Sequence, residues 1–135
     1  MFFVWSIKIN NQKKIHMREE LKYRTKMVGL KTIELLELLP NKIAAWAIGK
    51  QIVRSATSVG ANYRAACRAK SVADYIHKLK IVEEECDETL FWLEILVESK
   101  LVSKSDLIEI NNEANQLLAI FIATIKTLKS KHYKI

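Results

Sequence analysis

At 135 residues the chain is one domain by length, long enough to bury a real core. Half of its residues are hydrophobic and 27% are charged, with a formal net charge of +7, so it reads as a soluble domain that favours polyanions over basic partners. Three Gly and one Pro are too few for a many-turned β-protein, and no apolar run approaches the roughly 18 residues of a membrane span.

The chain opens "MFFVWSIKINNQKKIH", apolar then basic, the reverse of a signal peptide's order. Phe3, Trp5, Ile7 and Ile9 alternate as in a short strand. Residues 1–16 therefore read as a loosely held leader, and residues 17–135 as the folded domain. From Met17 to Leu39 the pattern is helical: Leu21, Val28 and Leu35 recur every seven residues, interleaved with Thr25, Thr32 and Leu39. Pro40 cannot continue that helix, and Asn41 is placed to cap the next.

The second helix is predicted over Lys42 to Lys70, because Ile48, Ile52, Ala56, Val59, Tyr63 and Cys67 step by three or four. Gly60 costs this helix about 1 kcal/mol relative to alanine, tolerable if a neighbouring helix approaches closely there. "SVAD" from Ser71 resembles a capping box and opens a third helix to about Ser99. That helix carries Val72, Leu79, Cys86 and Leu93 at heptad spacing, with Ile76, Leu90 and Val97 between. Ser103 and Asp106 repeat the signature before a fourth helix with Leu107, Ala114, Phe121 and Leu128, and Ile110, Leu117 and Thr124 between.

Helices two to four each span roughly 29 residues, or about 43 Å, joined by short connections. The expected fold is all-α, an antiparallel up-down-up-down four-helix bundle. The fourth helix also carries Ile108, Leu118, Ile122 and Ile125, and the third Phe91, Trp92 and Ile95. So wide an apolar arc predicts self-association into a homo-oligomer; a broad core stripe is the alternative.

Chemistry has little to work with. The histidines are His16, His77 and His132, and "DYIH" is a single degenerate copy of the Glu-x-x-His pairs of di-metal bundles. The run "EEECDE" reads as a solvated or salt-bridging face. With no Gly-rich phosphate loop and no zinc-ligand spacing, the expectation is no catalytic residue, no metal and no cofactor. Cys67 and Cys86, without a secretory signal or metal-ligand spacing, read as two reduced, buried small residues of a cytoplasmic protein.

Charge distribution says more. Between Leu38 and Ala73 lie Lys42, Lys50, Arg54, Arg64, Arg68 and Lys70, with no acid. Lys50, Arg54, Arg64 and Arg68 fall along one side of the second helix, opposite its apolar seam. These four and Lys70 are the candidate nucleic-acid contacts, serving phosphates whose neutralisation makes binding salt-sensitive. Alternatively the stripe pairs with the acidic side of helix three, with Arg54 held by a carboxylate such as Glu83 or Glu84. Lys126 to Lys134 read as a solvated helix end.

"QIVRSATSVGANYRAACRAKS" followed by "EEECDETLFWLEILVES" resembles the bacterial four-helix-bundle family first described from open reading frames in intervening sequences of 23S ribosomal RNA genes. The resemblance covers roughly Met17 to Lys131 and is carried by Gln51, Arg54, Ser55, Ser58, Gly60 and Asn62, with Glu84, Glu88, Thr89, Trp92 and Leu93. Many relatives have a Glu-Gly pair after the Asn, where this chain has Ala65 and Ala66. The resemblance implies an antiparallel four-helix bundle assembled as a homopentamer. A related accessory protein of diversity-generating retroelements binds a reverse transcriptase and nucleic acid through a basic surface. By that analogy the expected partners are RNA or DNA, or a protein such as a polymerase, and not a membrane.

Overall fold

The computed structural model describes residues 2–132, with side chains from residue 10 onward. It contains four helices: α1 (Phe2–Leu36), α2 (Ile43–Ala66), α3 (Val72–Glu98) and α4 (Lys104–His132). Among the described residues there is no strand. The alternation at Phe3, Trp5, Ile7 and Ile9 is therefore not a strand, since α1 begins at Phe2. A helix satisfies its backbone internally, whereas a lone strand has no neighbour to pair with. The side chains of those four lie outside the described residues. Lys134, in the terminal lysine run, also lies outside.

Each helix packs against its chain neighbours, and α1 meets α4 only sparsely. Gly29 faces Ala56 and Thr57, whereas Gly60 faces Thr25 and Lys26, so numbering falls in one helix as it rises in the other. Arg24 reaching Glu113 and Lys31 reaching Glu109 show the same antiparallel relation between α1 and α4. The core sits between all four helices. Val28, Ile52, Val59, Tyr63, Leu79, Leu93, Leu117 and Phe121 are fully or almost fully buried. Thr25 and Thr32 are buried too, their hydroxyls donating to the carbonyls of Leu21 (2.7 Å) and Val28 (2.8 Å) one turn back. Cys86 donates its thiol to the Ala114 carbonyl at 3.2 Å, and burial pushes that thiol up to about 12.

Three local expectations change. Helix α2 stops at Ala66, so Arg68 and Lys70 stand in a turn and not on its basic stripe. The amides of Arg68 and Ala69 bond back only three residues, to Ala65 and Ala66, tightening the last turn. Ser71 then caps α3 by accepting from the Asp74 amide (3.1 Å), while Asp74 accepts from the Lys70 amide (3.0 Å). This cap reverses the chain where the apolar periodicity alone would have continued the helix. Asn41 is not the cap of α2: Lys42 occupies that position without a side-chain bond, and the Asn41 carboxamide accepts from the Trp46 indole (3.1 Å). Val72, predicted on the buried face of α3, is 45% exposed because the helix begins there, above the core.

Ahead of Leu21, α1 runs on past its neighbours. Every residue from 10 to 20 is exposed. Arg18 lies 5.9 Å over the Tyr75 ring, the contact that ties this overhang to α3.

Candidate nucleic-acid interface

The candidate cations divide into three groups. Arg54 is engaged: its Nη2 lies 2.5 Å from Glu88 Oε1 and its Nη1 3.3 Å from Glu85. The partner carboxylates are thus Glu85 and Glu88, one to five residues beyond the predicted Glu83 or Glu84. The bond to Glu88 raises the Arg54 guanidinium above its ordinary value, and the same bond, joined by the Trp92 indole at 3.2 Å, lowers the Glu88 carboxyl. Beneath them the buried Ser55 and Thr89 hydroxyls lie 3.1 Å apart. Arg54, Ser55, Glu88, Thr89 and Trp92 form one patch that fastens α2 to α3.

Lys50 stands alone at the other end of α2. Fourteen residues separate it from Arg64, about 21 Å along a helix, too far to share a phosphate cluster. It borders an apolar cleft of about 480 Å³ lined by Leu39, Pro40, Trp46 and Val53.

Arg64, Arg68 and Lys70 form the third group, exposed and with no side-chain ion pair among the described residues, although the Lys70 amide donates to the Asp74 carboxylate. They mark the end of the bundle where α2 finishes, α3 starts, α4 finishes and α1 enters. Tyr63 and Phe121, with ring centroids 5.6 Å apart, hold α2 and α4 together just beneath. The topology therefore adds Lys126, Lys129 and Lys131 from α4, all exposed, and the basic stretch Lys13, Lys14 and Arg18 from α1. Acids here are Glu19, which binds Lys22, Glu20, and Asp74, which binds Lys78.

Sequence reasoning missed this convergence. The α4 lysines read as a solvated tail because their nearness to Arg68 depends on antiparallel packing. Joining the predicted topology to the charge list was the signal that could have found them.

Below this basic end, a groove of about 570 Å³ runs between α1 and α2, whose borders include Glu19, Lys22, Lys26, Arg64, Tyr23 and Leu30. The opposite face, between α3 and α4, carries a groove of about 880 Å³ whose borders include Asp87, Glu94, Glu98, Phe91 and Ile108. Among the described residues, no cluster of His, Cys, Asp and Glu could hold a metal ion, and no helix is long and apolar enough to cross a membrane.

No curated protein matches the chain. A solved structure of a protein with unknown function, from the S23 ribosomal protein family of Bacteroides thetaiotaomicron VPI-5482, superposes with a TM-score of 0.73. It is 35% identical, over 78% of this chain and 98% of that one. The profile of the 23S rRNA-intervening sequence proteins matches residues 19–123, which take in all of α2 and α3 and parts of α1 and α4. On that match the chain belongs to the 23S rRNA-intervening sequence protein family.

Proposed function

We propose that this protein is a non-enzymatic, cytoplasmic, homo-oligomeric bundle that binds RNA or DNA through phosphate contacts at its basic end. One observation carries the reading: the side chains of Arg64, Arg68 and Lys70 make no ion pair among the described residues and share one end of the bundle with Lys126, Lys129 and Lys131. Phosphate contacts of this kind bind with little sequence preference. Arg54 serves the α2–α3 junction instead, and Lys50 lies outside the cluster.

Filter binding titrated against salt tests the proposal. Binding at low salt should weaken steeply as salt rises. Replacing Arg64 and Arg68 with Ala should lower affinity uniformly across sequences and flatten the salt slope by up to about two units. Replacing Lys50 should change neither. Binding absent at low salt, or indifferent to salt, overturns the reading.

A second reading, a scaffold for a protein partner such as a polymerase or reverse transcriptase, is favoured by the far end. There Ile43 is 90% and Trp46 64% exposed beside the apolar cleft. Such a partner would stay bound at high salt and be lost with Trp46→Ala.

A further inference from the structure

Around the first turns of α2 lies a hollow that the chain itself leaves open. Ala45 and Gly49, one turn apart and both buried, form its floor beside Leu36 and Leu39, where α1 ends. Trp46, Lys50 and Val53, spaced by four and three residues, share the neighbouring row of the same helix. Trp46 is 64% exposed, yet its indole is pinned, because Nε1 donates to Asn41 Oδ1 at 3.1 Å. An indole nitrogen can only donate, so the Asn41 oxygen faces it, and the Asn41 NH2 keeps no bond among the described residues.

Lys50, on the border, makes no ion pair among the described residues. No acid borders the hollow: Glu34 and Glu37, the nearest in the chain, lie outside it. Its free polar groups are therefore donors, one of them charged, over an apolar floor. We propose that the hollow binds a small amphiphilic carboxylate, a medium-length acyl chain whose tail lies against Leu36, Leu39 and Trp46 and whose carboxylate meets Lys50. Burial of the tail supplies most of the attraction, and the donors select the head group. A polyanion gains little here, since Lys50 is the one cation on the border among the described residues. The scale fits as well. A cleft of about 480 Å³ falls within the roughly 300–1,000 Å³ of small-molecule sites. Nine residues line it, about a third of what one side of a protein contact uses, so the ligand goes beyond the scaffold reading of the same end.

Octanoate titrated into the full chain, with 1-octanol as its uncharged counterpart, supplies the test. With 5-fluorotryptophan at its three tryptophans, fluorine NMR both locates and measures binding. The Trp46 resonance, assigned through Trp46→Phe, should shift and saturate while those of Trp5 and Trp92 stay. Octanoate should bind about three- to tenfold tighter than octanol, the range expected of a charge-assisted contact at a wet rim. Lys50→Met should bring octanoate down to the affinity of octanol and leave octanol unchanged. Lys50→Arg should keep the preference. Lys50 is exposed, so both variants should retain the wild-type circular dichroism. Both should also retain salt-dependent nucleic-acid binding, because Lys50 lies away from the basic end.

Octanoate that leaves Trp46 unmoved would overturn the inference, even if it binds elsewhere on the chain. Octanol that binds as tightly as octanoate would overturn it too, since the donors would then select nothing. A Trp46 resonance that shifts on dilution of the protein alone and ignores octanoate would also overturn it, because a second copy then fills the hollow. None of these results touches the nucleic-acid reading, which stands or falls on the salt titration.

Discussion

Helix α2 lies against α1 almost backbone to backbone and meets α3 through small buried side chains, whereas α1 and α4 span their seam with long side chains. A methyl group at Gly60 would come within 3.2 Å of the Thr25 carbonyl and 3.3 Å of the Lys26 backbone. On its other side α2 presents Ser55 to Thr89, and both residues are fully buried. The α1–α4 seam instead relies on Arg24, whose Nε lies 2.6 Å from Glu113, and on the Lys31–Glu109 pair, both near solvent. The first arrangement excludes water and tolerates no added volume. The second keeps its charges partly hydrated, so breaking it should change stability little.

The sharpest way to break this contrast is inside the close half. Ile52→Ala leaves a cavity at a fully buried position and should destabilise by about 2–5 kcal/mol in urea unfolding. Next comes Gly60→Val, which pushes two branches into the α1 backbone and should cost about 1–3 kcal/mol. Gly49→Ala is its control: there the new methyl meets only the ends of Leu36 and Leu39, at 3.3 and 3.2 Å. These side chains can shift, so the better helix propensity of alanine should leave stability unchanged or raised by up to about 1 kcal/mol. Smaller still, a double-mutant cycle on Arg24→Ala and Glu113→Ala should return a coupling of at most about 1 kcal/mol. A larger value would mean that the open seam is as decisive as the close one.

Acid should sharpen the comparison from another side. Arg54 holds the Glu88 carboxyl below its ordinary value in the folded chain. The unfolded chain therefore binds that proton more readily, and the stability contributed is present above the unfolded value and lost as pH falls through the folded one. Urea midpoints followed from about pH 5 to pH 3 should decline less steeply in Glu88→Gln than in the wild type.

Much of this could be read in advance where a residue's fate depends on periodicity. Most of the heptad stripes on α1, α3 and α4 become the core, with Val72 exposed and Val97, Thr124 and Leu128 half-buried at the ends, and Ser71 caps α3 through the Asp74 amide as its spacing suggested. Legibility failed where a local bond outcompeted the repeat. The cap at Ser71 stopped α2 before Arg68, and the Trp46 indole claimed Asn41. It failed again where proximity arises only on packing. That Arg54 reaches Glu85 and Glu88, and not Glu83 or Glu84, follows from the rotational setting of two helices about each other. Three lysines some sixty residues downstream of Arg68 share its end of the bundle for the same kind of reason.

The solvent-facing stretch of α1 before Leu21 has a consequence for how this helix behaves along its length. Residues 10 to 17 are all exposed, so their helicity rests mainly on their own short-range hydrogen bonds, which in water are marginal for so few residues. Amide exchange should therefore be graded along one continuous rod, rapid at Lys13 and Lys14 and slow from Val28 onward. A chain restarted at Met17 should melt at nearly the same temperature as the full one.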